Sequence, residues 1–147
     1  MKNIAYLCLL ILTAQACTSS HFYNEYKSVD TKNWKSTDTL TFDVEIEDIQ
    51  ANYNILVSVR HQKTYEFSNL WLTYFLENQP AKIEVPLFKL DGKPYGESSG
   101  SLCTQTIPLK SNFHFPKKGK NIIKVVHLMR KDPLDGVSDI GIIIDKK

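Results

Sequence analysis

The residue best placed to do chemistry in this sequence is a cysteine near the start. Cys17 follows directly on Ala14-Gln15-Ala16, which themselves follow a short apolar run. Met1-Lys2-Asn3 gives a basic beginning, and Ile4 to Leu12 is apolar almost throughout. That is the three-part plan of an export signal ending in small residues. The run is too short for a bilayer span, which takes about 20 residues. Ala14-Gln15-Ala16 also fits ordinary cleavage, but a cysteine right after Ala16 reads as a lipobox. There the thiol becomes a thioether to lipid, and the chain is cut before Cys17. The departure is Ala14, where a lipobox usually has Leu. Several acyl chains hold a protein firmly, since each buried CH₂ contributes about 0.8 kcal/mol. The reading is therefore an exported protein anchored through Cys17.

Other chemistry-bearing residues are weaker. Gly96-Glu97-Ser98-Ser99-Gly100 fits the hydrolase pattern G-x-S-x-G. That pattern works only on a strand-to-helix turn of an α/β sheet, and Asp91-Gly92-Lys93-Pro94 before it points to a loop instead. Asp132, Asp135 and Asp139 with Gly136 miss the alternating oxygens and late Glu of a calcium loop; they read as a turn. His21, His61, His114 and His127 show no ligand spacing. With Cys8 inside the export signal and Cys17 lipidated, Cys103 has no disulfide partner and reads as a small buried residue. Neither a catalytic site nor a metal or other cofactor is expected. Trp34, Trp71 and Tyr95 are candidates for a sugar-stacking platform, although Trp71 sits in a strand run and reads as core.

The elements that would position these residues are strands. Of 147 residues, 42% are hydrophobic and 23% charged, with a formal net charge of +2. That suits one globular domain and gives no reason to expect nucleic acid as partner. Leu40, Phe42, Val44 and Ile46 alternate with polar residues, the signature of a half-buried strand. Further runs lie around Ile55–Val59, Leu70–Leu76, Ile83–Leu87, Lys120–Met129 and Ile140–Ile144. Ile107 to Phe115 is broken by Pro108 and reads as short or edge strands. Turn signals separate the runs: Glu47-Asp48, Asn78-Gln79-Pro80, Asp91-Gly92, Lys117-Lys118-Gly119 and Asp135-Gly136. No window has convincing helical periodicity. The expected fold is an all-β antiparallel sandwich of about seven or eight strands over residues 39–147. Residues 1–16 are the signal peptide. Residues 17–38 are the lipidated cysteine and a polar tether, reaching roughly 70 Å if extended.

Several stretches, in this order, carry a resemblance. They are Tyr53-Asn54-Ile55, Arg60-His61, Tyr65, Ser68-Asn69-Leu70-Trp71, Phe115-Pro116 with Lys118-Gly119, and Met129-Arg130. Leu134-Asp135-Gly136-Val137 with Asp139-Ile140-Gly141-Ile142 completes the set. Together they resemble the GldH family of gliding motility lipoproteins of Bacteroidetes, over roughly residues 34–145. A departure is Pro94-Tyr95-Gly96, where the family often has Trp-Leu-Gly. The resemblance implies a non-enzymatic envelope lipoprotein of the gliding apparatus, which is tied to type IX secretion. Its partners would be other envelope proteins of that machinery and the membrane, reached through the lipid. Thr18-Ser19-Ser20-His21 lacks an acidic cluster associated with surface export, so the expected place is the outer membrane, facing the periplasm. Among the matched residues, Arg60, Asn69, Trp71, Arg130 and Asp139 are the expected interaction or structural positions. Arg130 is expected to pair with Asp132 or Asp139. Gly136 should supply a positive φ, and Gly141 a close backbone approach. The alternative function is a glycan-binding envelope module.

Overall fold

A computed structural model describes residues 21–147. The signal segment and Cys17 lie outside the described residues. Among the described residues nine strands make two antiparallel sheets: β1 (Tyr23–Ser28), β2 (Leu40–Ile46), β3 (Tyr53–Gln62), β4 (Asn69–Leu76), β5 (Gln79–Pro86), β6 (Glu97–Ser99), β7 (Leu102–Phe113), β8 (Gly119–His127) and β9 (Val137–Lys146). One sheet has the order β1-β9-β3-β7-β6 and the other β2-β8-β4-β5. The expected sandwich is what forms.

Strand parity builds the core. In β2, Phe42, Val44 and Ile46 are fully buried while Thr41, Asp43 and Glu45 face water. In β8, Ile123, Val125 and His127 point inward and Lys120 and Ile122 outward. Facing them, Ile55, Val57 and Val59 of β3 and Ile140, Ile142 and Ile144 of β9 are buried. Each such side chain contributes roughly 1.5–3 kcal/mol when taken fully from water. Strand β9, interior between β1 and β3, is buried on both faces over most of its length. This explains its near-continuous isoleucine run, which shows no clean alternation.

Four differences from the sequence reading have physical causes. Two strands are additional. The segment expected to be tether is folded from Tyr23, because β1 pairs with β9 from Tyr23↔Ile144 to Ser28↔Asp139. Its polar composition is that of an edge strand: Glu25 and Lys27 share the face of the core isoleucines and pair with each other at 2.7 Å. Inward charges of this kind deter edge-to-edge association. The second is β6, three residues of the Gly/Ser segment paired to the start of β7. Residues 102–113 form one long strand, not short pieces. Pro108 is accommodated opposite Leu56, next to a register shift at Ile55, and beyond Thr104 the outer side of β7 has no paired strand among the described residues. Proline tolerates an edge and a bulge. Finally, the β4–β5 turn is Glu77-Asn78, one residue earlier than read. Both have positive φ (52° and 61°), and Leu76 pairs with Gln79. That is the geometry of a two-residue hairpin with a primed turn.

The topology sorts the connections by end. Residues 47–52, 77–78 and 114–118 lie at the end where β1 starts and β9 finishes, which we term the proximal end. Residues 29–39, 63–68, 87–96, 100–101 and 128–136 lie at the opposite, distal end.

Candidate interaction surface

The five expected positions all fall in the distal half. Arg60 and Asp139 are direct register partners across β3 and β9. They line one shallow pocket of about 350 Å³ with Glu97, Ser98, Leu102 and Thr104. Asn69 and Trp71 stand at the start of β4, and Arg130 lies in the 128–136 connection.

Arg60 rests on a built ledge. Its guanidinium stacks on the ring of Tyr26, 3.8 Å from the centroid. The ring lies across Gly141, its register neighbour: a Cβ there would come within 2.6 Å of Tyr26 Cε1. The expected close approach at Gly141 is thus a ring on a bare backbone. Tyr26 Oη donates to Ser58 Oγ at 2.9 Å, and Thr106 Oγ1 donates to the same oxygen at 2.9 Å. This chain of polar contacts ties β1, β3 and β7 on the outer face. Asp139 is engaged by Ser28, whose hydroxyl donates to it at 2.7 Å. Arg60 has no ion pair among the described residues.

Arg130 differs from expectation. Asp132 does not pair with it. Instead Asp132 accepts hydrogen bonds from the backbone N–H of Ser36, at 3.0 Å, and from the Ser36 hydroxyl. These bonds hold its carboxyl below the usual carboxylate range. Arg130 is exposed and has no ion pair among the described residues. The sequence contains only two arginines, and both sit at this end with no carboxylate oxygen within 4 Å among the described residues. Five lysines, by contrast, have acidic partners within 4 Å: Lys27, Lys93, Lys120, Lys131 and Lys146.

The aromatic expectation is also revised. Trp34 is 1% exposed and Trp71 39% exposed. Leu70, Leu72, Tyr74 and Leu76 take the inner face of β4, so parity puts Trp71 outside. Trp34 cannot join a platform with Trp71 and Tyr95. It instead anchors the distal connections. Its N–H and C=O pair with those of Leu134 at 3.1 and 2.7 Å, and its ring packs edgewise on His127 at 4.8 Å. His127 Nε2 donates to Trp34 O at 3.1 Å, and Nδ1 accepts from Met129 N–H at 3.3 Å. That pattern requires neutral imidazole, and burial pushes its pKa down.

The other connections are locked to this hub. Gly136 N–H donates to Thr31 O and Gln62 N–H to Gly136 O, both at 2.7 Å. Gly136 has φ +88°, as expected, and Tyr65 leaves no free room for a Cβ there. Tyr65 Oη donates to Asn69 O at 3.0 Å, and Lys131 bridges Glu66 and Asp135 at 2.9 Å each. Asn69 Nδ2 donates to Glu84 at 2.6 Å, so Asn69 ties β4 to β5. Two small turns close residues 87–95, with Phe88 bridged to Pro94 and Leu90 fully exposed at the tip.

Side chains with nucleophilic types meet here too. Ser98, Cys103 and His61 are successive register partners along β6, β7 and β3. Ser98 Oγ lies 3.5 Å from Cys103 Sγ. The residues between positions 61 and 103 hid this pairing from the sequence. His61 Nδ1 donates to Gln62 O, and burial lowers its pKa. Cys103 and His61 are both 0% exposed, so the thiol is enclosed among side chains. The G-x-S-x-G segment is a β-hairpin edge, not a strand-to-helix turn. The arrangement offers charged, aromatic and apolar groups for contact.

The sequence profile of the GldH lipoprotein family matches residues 21–144. The chain belongs to the GldH lipoprotein family. Full-length relatives agree. The chain is 26% identical over 159 aligned residues to "Gliding motility lipoprotein GldH" of Flavobacterium johnsoniae, covering all of this chain and 98% of that one. It is 24% identical to "Gliding motility lipoprotein GldH homolog" of Christiangramia forsetii, covering 92% of this chain and 90% of that one. The GldH match begins two residues before β1. The family match therefore includes residues 21–38 of the segment that composition alone assigned to a tether.

Proposed function

We propose that this GldH-family chain is an envelope lipoprotein that serves the gliding motility machinery by contact, not by catalysis. It is cut before Cys17, lipidated there, and held at the outer membrane facing the periplasm. Its distal end docks on other envelope proteins of gliding and type IX secretion. One observation carries this reading. Both arginines, neither with an ion pair among the described residues, share the rigid distal end with exposed Trp71 and Leu90. Arginine and tryptophan are the residue types that dominate binding energy in protein interfaces. Arginine's planar fork also suits bidentate pairing with a partner carboxylate. The names of the two relatives support the gliding assignment.

The test is complementation of a deletion strain with Arg60→Ala/Arg130→Ala. The expected result is a lipidated, stable protein at normal abundance that no longer co-purifies with gliding or secretion proteins and does not restore colony spreading. Full complementation by that double variant, and by Trp71→Ala with Leu90→Ala, would sink the distal docking surface.

A further inference from the structure

We infer that the proximal end of the sandwich is a lipid-contacting surface, seated against the headgroup layer of the membrane that holds the Cys17 anchor. This rests on the reading of Cys17 as the lipidated residue. The argument starts from chain length. Only Thr18, Ser19 and Ser20 separate Cys17 from His21. Four residue steps reach at most about 14 Å. His21 is itself fixed to the body, its Nδ1 2.6 Å from Asp145 at the end of β9. Phe22 stacks on Tyr53 with centroids 5.2 Å apart, and β1 begins at the next residue. A body so tethered cannot swing away from the bilayer by the roughly 70 Å that a tether to residue 38 would allow.

The surface around that exit point is suited to such a seat. Phe22 and Ile49 are 38% and 39% exposed. They belong to one neighbourhood, since Phe22 packs on Tyr53 and Tyr53 Oη donates to Asp48 O, beside Ile49, at 2.9 Å. From Tyr53 the aromatic contacts continue to Phe115 at 5.3 Å and Phe113 at 5.0 Å. Those two rings wall a groove of about 260 Å³ whose apolar residues include Leu76 and the exposed Ile122. Lys117 lines its rim, and Lys118 follows in the same connection. Aromatic and apolar side chains beside amine groups make a surface for the headgroup–acyl boundary. The strand edge next to the exit point is less suited, because β1 carries the Glu25–Lys27 ion pair. Seated this way, the ten-residue strands β3 and β9 would set the distal end about 30 Å from the proximal one, aimed away from the membrane.

The experiment uses the full lipidated protein, purified from membranes and reconstituted into phosphatidylcholine vesicles with acyl chains brominated just below the headgroups. Tryptophan is introduced by Phe22→Trp or Ile49→Trp at the proximal end and by Leu90→Trp at the distal tip. All three sites are exposed. The native Trp34 and Trp71 give a common background. The expected result is that Phe22→Trp and Ile49→Trp lose most of their added emission to bromine, while Leu90→Trp keeps its own. Equal quenching at both ends, or quenching only at Leu90→Trp, would overturn the inference while leaving the anchor intact. Wild-type protein that does not float with the vesicles would show that Cys17 carries no lipid and would remove the anchored reading, and this inference with it.

Discussion

The two ends of the sandwich are built on different principles. At the proximal end, three short connections turn the chain: residues 77–78 join the paired strands β4 and β5, and residues 47–52 and 114–118 cross between the sheets. At the distal end, the five connections are tied together: residues 29–39 and 128–136 around Trp34, His127 and Leu134, residues 63–68 to 87–96 through Ser68 and to 100–101 through Lys63, and the two sets through Lys131 to Glu66. A loop that only closes a turn needs little sequence. A set of loops held in one arrangement needs buried rings, positive-φ glycine and satisfied backbone groups, and the distal end has all of these. Its exposed residues are therefore presented on a rigid frame. Rigid presentation lowers the entropy cost of binding a partner, which is why we assign recognition to that end.

The contrast can be broken most forcefully at Trp34. Removing its ring by Trp34→Ala leaves a cavity and frees His127, at a cost of about 3–5 kcal/mol. Urea denaturation should show a large fall in midpoint. Ile49→Ala at the proximal end should shift stability by no more than about 0.5 kcal/mol. Equal effects would mean that the distal network is not a special store of stability.

Gly141→Ala comes next. A Cβ at that position would collide with the Tyr26 ring, so the ring and the Arg60 above it must move. The expected destabilisation is about 1–3 kcal/mol. Combining the change with Tyr26→Ala should recover most of it, because the collision disappears. No recovery would place the strain elsewhere.

A pH experiment addresses the same end. Both buried imidazoles, His61 and His127, have pKa values lowered by burial. In the unfolded chain each returns to about 6.5. Below that value the unfolded state binds more protons, so stability is complete above about pH 6.5 and declines as pH falls. The urea midpoint should be lower at about pH 5.5 than at about pH 7.5, and the drop should shrink in His127→Gln. A midpoint that rises on acidification contradicts the neutral assignment.

The smallest effects belong to the surface groups. Arg130→Ala should leave the melting temperature nearly unchanged, since the side chain is exposed and unpaired among the described residues. Arg60→Ala should cost about 0.5–1 kcal/mol through the lost stacking on Tyr26. Ser98→Ala should alter neither stability nor complementation. Loss of complementation by Ser98→Ala at normal abundance would reopen a chemical role for that serine.

Much of the fold was legible because strand parity is a local property. The alternation at Leu40–Ile46 announced β2, whereas Pro108, read as breaking residues 107–115 into short or edge strands, lies within one long strand because a register shift on β3 accommodates it. Trp71 shows the same rule underused: Leu70, Leu72, Tyr74 and Leu76 already fix the inner face, so the residue between the first two must lie outside. What stayed hidden was non-local. β1 is polar because it is an edge, and composition cannot separate a polar edge strand from a tether. The Arg60–Tyr26–Gly141 stack joins three strands far apart in the chain. Its only trace in the sequence is a glycine set within an isoleucine run. The pairing of His61 with Cys103 and the engagement of Asp132 by Ser36 depend likewise on register and loop packing.

The central claim is that one end faces the membrane and the other faces proteins. The most direct test places a photo-crosslinking amino acid singly at Leu90, Trp71, Phe22 or Ile49 in living cells, followed by mass spectrometry of the adducts. The account predicts adducts with gliding or secretion proteins from positions 90 and 71, and adducts with phospholipid from positions 22 and 49. Protein adducts confined to positions 22 and 49, with none from the far end, would contradict it.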